Sequence, residues 1–312
     1  MNQRTFMDTP LRYCITAFLI WTMMSVVAMA QEDDPWYQQR YQSDFSARID
    51  SVWMRPVGAD IQSNVRDLGS GQTLVSEDLD FGLRVAPQVT LRSFLTDNTT
   101  AEFVFLGDVK WSSFHSFAGL PSIPNLSGSA QATASLRNFE LNWFSDPSVL
   151  GTRWIVGLRH LNYNDRLDLD YTLTSGTTTI RETATGTADN QLFGPQFGMD
   201  LDVALDETLL QFGTKLGFYN NRNRQSGPTY ASELVIDGTP EPTFRSRDDA
   251  FTFAAEIDLM LQHHVTQNFA LHIGYQGMFL DHVIQTGSQD GSPSGGRNLW
   301  LHGLVLGGQL TL

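Results

Sequence analysis

Cysteine is all but missing from this sequence: Cys14 is the only one in 312 residues. That excludes a disulfide-stapled secreted scaffold, and its neighbours Tyr13 and Ile15 do not form a lipoprotein-type Leu-Ala-Gly-Cys cleavage site. Basic residues are scarce as well, 20 Lys and Arg against 34 Asp and Glu. Nucleic acid is thereby excluded as a partner, because binding its phosphates needs a cationic surface. After residue 30 there is no long apolar run, so membrane-crossing helices are excluded. Chemistry-bearing patterns are also lacking. No Gly-rich loop follows a strand and opens a helix, Ser112-Ser113 has no nucleophile-elbow context, and His263-His264 lacks further ligands at metal-binding spacing. The expectation is a protein with no cofactor and no metal site, and not an enzyme.

What is present begins with an export signal. Arg4 and Arg12 precede an apolar stretch from Ile15 to Met29 that closes on Ala28-Met29-Ala30, the three-part layout of a cleaved signal peptide. The stretch is too short for a bilayer span, which needs roughly twenty residues. Residues 1–30 are expected to be removed before Gln31, residues 31–42 to form a short N-terminal periplasmic segment, and residues 43–312 to form one domain, since no Pro/Ser-rich linker divides them. Loss of Arg4, Arg12 and Asp8 leaves 18 of the 20 basic and 33 of the 34 acidic residues.

The mature sequence alternates with a period of two. Phe81, Leu83, Val85, Pro87, Val89 and Leu91 share one face, and Gly82, Arg84, Ala86, Gln88, Thr90 and Arg92 the other. The same template fits Phe193 to Val203, Phe251 to Leu261, Phe269 to Phe279 and Trp300 to Leu312, and less regularly Phe45 to Trp53, Phe103 to Trp111 and Leu210 to Phe218. Two segments break phase. Ala132, Ala134 and Leu136 have the opposite parity from Phe139, Leu141 and Trp143, as do Trp154, Val156 and Leu158 from Leu161 and Tyr163. One β-bulge in each would restore the face; without it Arg137 would face lipid.

Ten strands follow, near 43–56, 79–95, 100–115, 130–144, 151–174, 186–204, 209–221, 247–262, 268–284 and 297–312. Connections after even-numbered strands are short, and those after odd-numbered strands are long and polar. This is the layout of an all-β, transmembrane, antiparallel up-and-down β-barrel with short periplasmic turns and long outer loops. The expected location is the bacterial outer membrane, with membrane lipid as the surround and the barrel-assembly machinery as a partner during biogenesis. A soluble barrel would turn its apolar face inward. The aromatic positions favour lipid: Trp143, Trp154 and Phe269, with Phe94 and Phe103, lie near the short-turn end. Trp53, Trp111, Phe251 and Trp300, with Phe81, Phe193, Phe218 and Phe279, lie near the long-loop end. Such rings gather at the two membrane interfaces, and the span from Phe251 to Leu261 suits a tilted crossing strand of about nine to eleven residues.

Three stretches, Trp154 to Arg159, Phe193 to Gly198 and Leu301 to Leu312, resemble the pore-forming outer-membrane barrels related to the Legionella major outer membrane protein, and similar planctomycete-type envelope barrels. The resemblance is diffuse over the mature chain and implies a pore or structural envelope protein. Leu312 departs from it, since such barrels commonly end in an aromatic that the assembly machinery recognises.

By parity the lumen receives Asp50, Glu102, Asp108, Glu140, Asp168, Asp170, Asp200, Asp202, Glu256 and Asp258, against Arg48, Arg84, Arg92, Lys110, Arg153, Arg159 and Lys215. Arg84, Arg92, Asp108, Lys110, Glu140, Arg159, Asp200, Asp202, Lys215, Glu256, Asp258 and His272 are the candidate pore lining. The acid excess implies a mild preference for cations among the small solutes and ions admitted. Ten strands leave a narrow pore at best, because about eight are just filled by side chains and open porins use sixteen or more. The alternative is a plugged structural or ligand-binding barrel. A remote one is an omptin-like surface protease using Asp168, Asp170 and the Asp281-His282 pair.

Overall fold

The computed structural model describes residues 45–57, 61–67, 72–96, 99–118, 125–145, 152–175, 177–205, 207–228, 233–234, 243–286 and 296–312. The signal peptide at 1–30 and the segment 31–42 lie outside the described residues, as do the turns at 97–98 and 146–151.

Thirteen strands form: β1 (Phe45–Val57), β2 (Ile61–Asp67), β3 (Gln72–Leu79), β4 (Arg84–Thr96), β5 (Thr99–Ala118), β6 (Leu126–Ser145), β7 (Thr152–Ser175), β8 (Thr178–Leu205), β9 (Thr208–Pro228), β10 (Glu233–Leu234), β11 (Thr243–His264), β12 (Phe269–Val283) and β13 (Arg297–Thr311). Ten of them close into one antiparallel barrel, in the order β1, β4, β5, β6, β7, β8, β9, β11, β12, β13, and β13 pairs back onto β1. The ends that face each other across that seam, Ser46 and Thr311, lie at the short-turn end, where Thr96 also pairs with Thr99. Closure gives every barrel strand a partner on both sides, as backbone in hydrocarbon requires.

Three of the connections read as loops contain strand residues, the one after β9 carrying β10. The one after β1 carries β2 and β3, which with β10 make a small three-stranded sheet. The third lies between β7 and β8, where β8 starts well before its expected boundary and closes a tight hairpin pairing Ser175 with Thr178. Thr172, Thr174, Thr177, Thr178, Thr179, Thr183 and Thr185 make this stretch β-prone despite its polarity.

The bulges expected in the fourth and fifth barrel strands are not there. On β6 the buried positions are the even residues from Ala130 to Phe144 without interruption, and β6 pairs with β7 in one continuous register. Arg137 therefore does point outward, with Asp108 at 3.6 Å. The extra residue is in β5 instead, where the register slips between Leu106 and Val109. Pro87 lies opposite: it has no N–H to give the ladder, and its ring reaches Gly107, where an added Cβ would stand 3.1 Å from the ring. A second slip falls between Leu280 and Val283 of β12, and there His282 has φ 56°.

The outward face is apolar over the membrane-crossing span. Trp53, Val85, Trp143, Trp154, Val156, Phe193, Phe197, Leu216, Phe251, Leu259, Leu271, Ile273, Trp300, Leu304 and Leu306 are all exposed. Rings at the long-loop end pack along the belt, with Phe218 and Phe251 stacked at 6.1 Å between centroids and Phe279 and Trp300 tilted at 5.3 Å. Two aromatics of the long-loop belt leave this face. Trp111 is buried, because the β5 bulge turns the outer half of that strand over, and its Nε1 donates to the Met54 carbonyl at 3.0 Å. Phe81 is also buried, since residues 80–83 are not strand and the chain there turns its ring inward.

Candidate functional site: the barrel interior

The interior is built in two layers. Toward the short turns it is charged. Glu140 on β6 and Arg159 on β7 are register partners, as are Lys215 on β9 and Glu256 on β11. Arg159 pairs with Glu140 and reaches across two strands to Glu256. Lys215 Nζ closes the square, 3.0 Å from Glu140 and 2.8 Å from Glu256. Asn138, Asn142 and Gln196 donate to Glu140 at 2.7, 3.2 and 2.9 Å. The Tyr219 ring lies over Gly217, where any Cβ would collide with it. So many donors around each carboxylate are what buried charge requires.

Nearer the short-turn end Arg92 binds Glu102 at 2.6 Å, Arg153 lies 3.3 Å from Asp200 and 3.2 Å from Asp202, and Arg48 lies 2.9 Å from Asp50, which His272 also contacts. The guanidinium carbons of Arg92 and Arg153 stand 4.9 and 5.1 Å from the Phe144 ring centre. A cavity of about 80 Å³ remains among Arg48, Arg92, Glu102, Asp200, Lys215 and Asp258. It has room for a few waters, whereas small-molecule pockets run to roughly 300–1,000 Å³.

Above Arg159 the lumen is apolar. Val52, Met54, Val109, Trp111, Leu136, Leu161, Tyr163, Leu192, Leu280, Leu299 and Leu301 form one buried cluster, each of them at most 1% exposed. The chain leaving β12 then folds into the mouth. Asn190 holds Ile284 at both ends of its backbone, accepting from its N–H at 2.9 Å and donating to its carbonyl at 2.8 Å. Asp165 accepts the Thr286 N–H at 2.8 Å. This level stands outside the hydrocarbon, since the outward neighbours Asn162, Asn164 and Arg166 are polar. Burial lifts the Asp165 carboxyl to about 7, against the pull of the Thr286 hydrogen bonds.

Of the candidate lining, Arg92, Glu140, Arg159, Asp200, Asp202, Lys215, Glu256, Asp258 and His272 point inward, and all but Asp202 and His272 meet in the square or around the cavity. Arg84 has inward parity but sits exposed at the rim. Asp108 and Lys110 are corrections: the β5 bulge puts them outside, where they pair at 3.2 Å. Asp168 and Asp170 also face outward, because β7 keeps its phase, and they bind Arg166 and Arg181, each at 2.7 Å. His282 bonds its neighbour Asp281 at 2.6 Å on the β12 bulge. Asp165, Asn190 and the Ile284–Thr286 segment were missed. Their one sequence signal is a polar residue inside an otherwise apolar inward row: Leu161, Tyr163, Asp165, Leu167 and Ala188, Asn190, Leu192.

A closed antiparallel barrel with an apolar outer band, ring belts and a polar-to-apolar filled lumen defines an outer-membrane β-barrel protein. Residues 114–290, more than half of the chain, match the family described as "Putative beta barrel porin-7 (BBP7)", and the chain belongs to that family. No curated protein matches it. Among solved structures it is similar to the outer membrane protease OmpT from Escherichia coli (11% identity, 86% of this chain and 96% of that one, TM-score 0.47). It is also similar to the translocator domain of the autotransporter NalP from Neisseria meningitidis (10% identity, 96% of each chain, TM-score 0.43), and to the CymD monoaromatic hydrocarbon channel (8% identity, 91% and 92%, TM-score 0.36).

Proposed function

We propose that this porin-family barrel is a narrow pore held shut at rest, passing water and small ions only when its filling is displaced. The observation that carries this is the double seal: a fully bonded charge square that ties β6 and β7 to β9 and β11 across the interior, and above it an apolar layer at most 1% exposed. Ions do not cross such a layer while it is dry, because an unpaired charge there is uncompensated. The assembly machinery inserts it, as for other barrels of this build. No catalysis is proposed: Asp168 and Asp170 are each held by an arginine on the outer face.

Planar-bilayer recording tests this. The wild type should be silent or show brief small openings, and the triple variant Met54→Gly/Leu161→Gly/Leu299→Gly should conduct steadily, with cations favoured. A large, steady wild-type conductance would overturn the resting seal. A folded but silent triple variant would favour the second reading, a sealed barrel acting through its outer rim. That reading draws on β7 and β8, which run to 24 and 28 residues where about eleven cross the membrane.

A further inference from the structure

In this acidic chain one outward-facing region is rich in arginine. Above the ring belt, the registers of β8, β9 and β11 lay out three rows. The lowest pairs Arg222 with Asp249, the middle one aligns Asp189, Arg224 and Arg247, and the upper one aligns Thr187, Ser226 and Arg245. Arg224 and Arg247 face each other directly across neighbouring strands, and like charges so placed repel. Among the described residues only Arg222 of these four arginines has an ion pair, with Asp249 at 3.7 Å. A groove of about 380 Å³ runs between Arg224, Arg245 and Arg247, with one carboxylate, Asp189, on its wall against the three guanidinium groups, and the Thr187 and Ser226 hydroxyls that also line it share a hydrogen bond of 2.8 Å.

The chemistry of this set is specific. Guanidinium forks beside a hydroxyl pair that keeps one free O–H suit a tetrahedral oxyanion, and one bound anion would also relieve the Arg224–Arg247 repulsion. The height of the groove names the source. Phe193, Phe218 and Phe251 mark the acyl boundary on the same three strands, and Arg247 lies four residues beyond Phe251. At roughly 3.3 Å per residue and the usual tilt this is about 10 Å, within reach of the headgroup layer for a long side chain that can bend toward it.

We propose that Arg224, Arg245 and Arg247, with the Thr187 and Ser226 hydroxyls, bind the phosphate of a lipid headgroup in the outer leaflet. The full barrel in neutral detergent can be titrated with bisphosphorylated lipid A, its dephosphorylated form and inorganic phosphate, with retained lipid read by native mass spectrometry. The phosphorylated lipid should bind about tenfold more tightly than the dephosphorylated one, the equivalent of one charge-assisted contact. Arg224→Gln/Arg247→Gln should lose about that factor while still migrating as a folded barrel, and Arg224→Lys/Arg247→Lys should lose less, since an ammonium keeps charge without the fork. Should the glutamine pair not fold, Arg245→Gln alone should still weaken binding about threefold. Equal binding of the two lipids, or unchanged binding by the folded variants, would overturn the site. Displacement of the lipid by equimolar inorganic phosphate would overturn the headgroup and leave a free-anion site.

Discussion

Neighbouring side chains on one strand meet opposite worlds here, and single substitutions can tell them apart. Leu259 is exposed on the outer face, and its neighbour Asp258 lines the inner cavity. Leu259→Arg should cost about 2 kcal/mol, because the charge would sit within the hydrocarbon a little off its midplane. Asp258→Asn should change stability far less, as it keeps volume and hydrogen-bonding capacity. Urea titration of the barrel refolded into liposomes measures both, and equal tolerance would contradict the facing. Tryptophan depth gives an independent check. In single-tryptophan variants, brominated lipid should quench Trp154, which is 61% exposed, and leave Trp111 bright, since it is 1% exposed; strong quenching of Trp111 would place it in lipid and move the β5 bulge elsewhere.

Strands were readable from the sequence because alternation survives in any barrel, and all ten lie close to where the pattern put them. Phase was readable where the interior is polar, as on β8 and β11, but not along β5, β6 and β7, for a physical reason. The pattern equates apolar with lipid, which holds only while the interior is polar. On β6 the apolar set moves from Phe139, Leu141 and Trp143 to Leu136, Ala134 and Ala132 because the lumen turns from charged to apolar at that height, with no change in the strand. On β5 two changes cancel: the lumen changes character and the bulge flips the strand, so Phe103, Phe105, Val109 and Trp111 read as one unbroken face. The charge square was half legible, since Glu140, Arg159, Lys215 and Glu256 were assigned inward, but their meeting depends on registers that alternation does not encode. The folded-in segment after β12 offers a pH test at the same scale. The Asp165 carboxyl titrates near 7 when covered and near 3.9 when free. Docking is therefore fully favoured below about pH 4 and weakens as pH rises through 7. Amide exchange at Ile284 and Thr286, corrected for its intrinsic pH dependence, should rise over this window in the wild type and stay flat in Asp165→Asn; a flat wild type would rule out the coupling.

At the scale of the whole molecule, the two fillings make the cylinder asymmetric. Its charged half keeps the free volume, where the Arg48, Arg92, Lys215 and Asp200 side chains that line the cavity are 19, 14, 12 and 18% exposed, while the layer above it is packed and apolar. The expected object is a thimble whose opening, when it has one, is toward the periplasm. The chain has only two lysines, Lys110 and Lys215, one on the outer wall and one inside the cup. In oriented proteoliposomes, a membrane-impermeant amine reagent applied from the cell exterior should tag Lys110 alone, and the same reagent supplied from the opposite compartment should slowly reach Lys215. Peptide mapping would register the sidedness, and tagging of Lys215 from the exterior would mean that the thimble has no bottom.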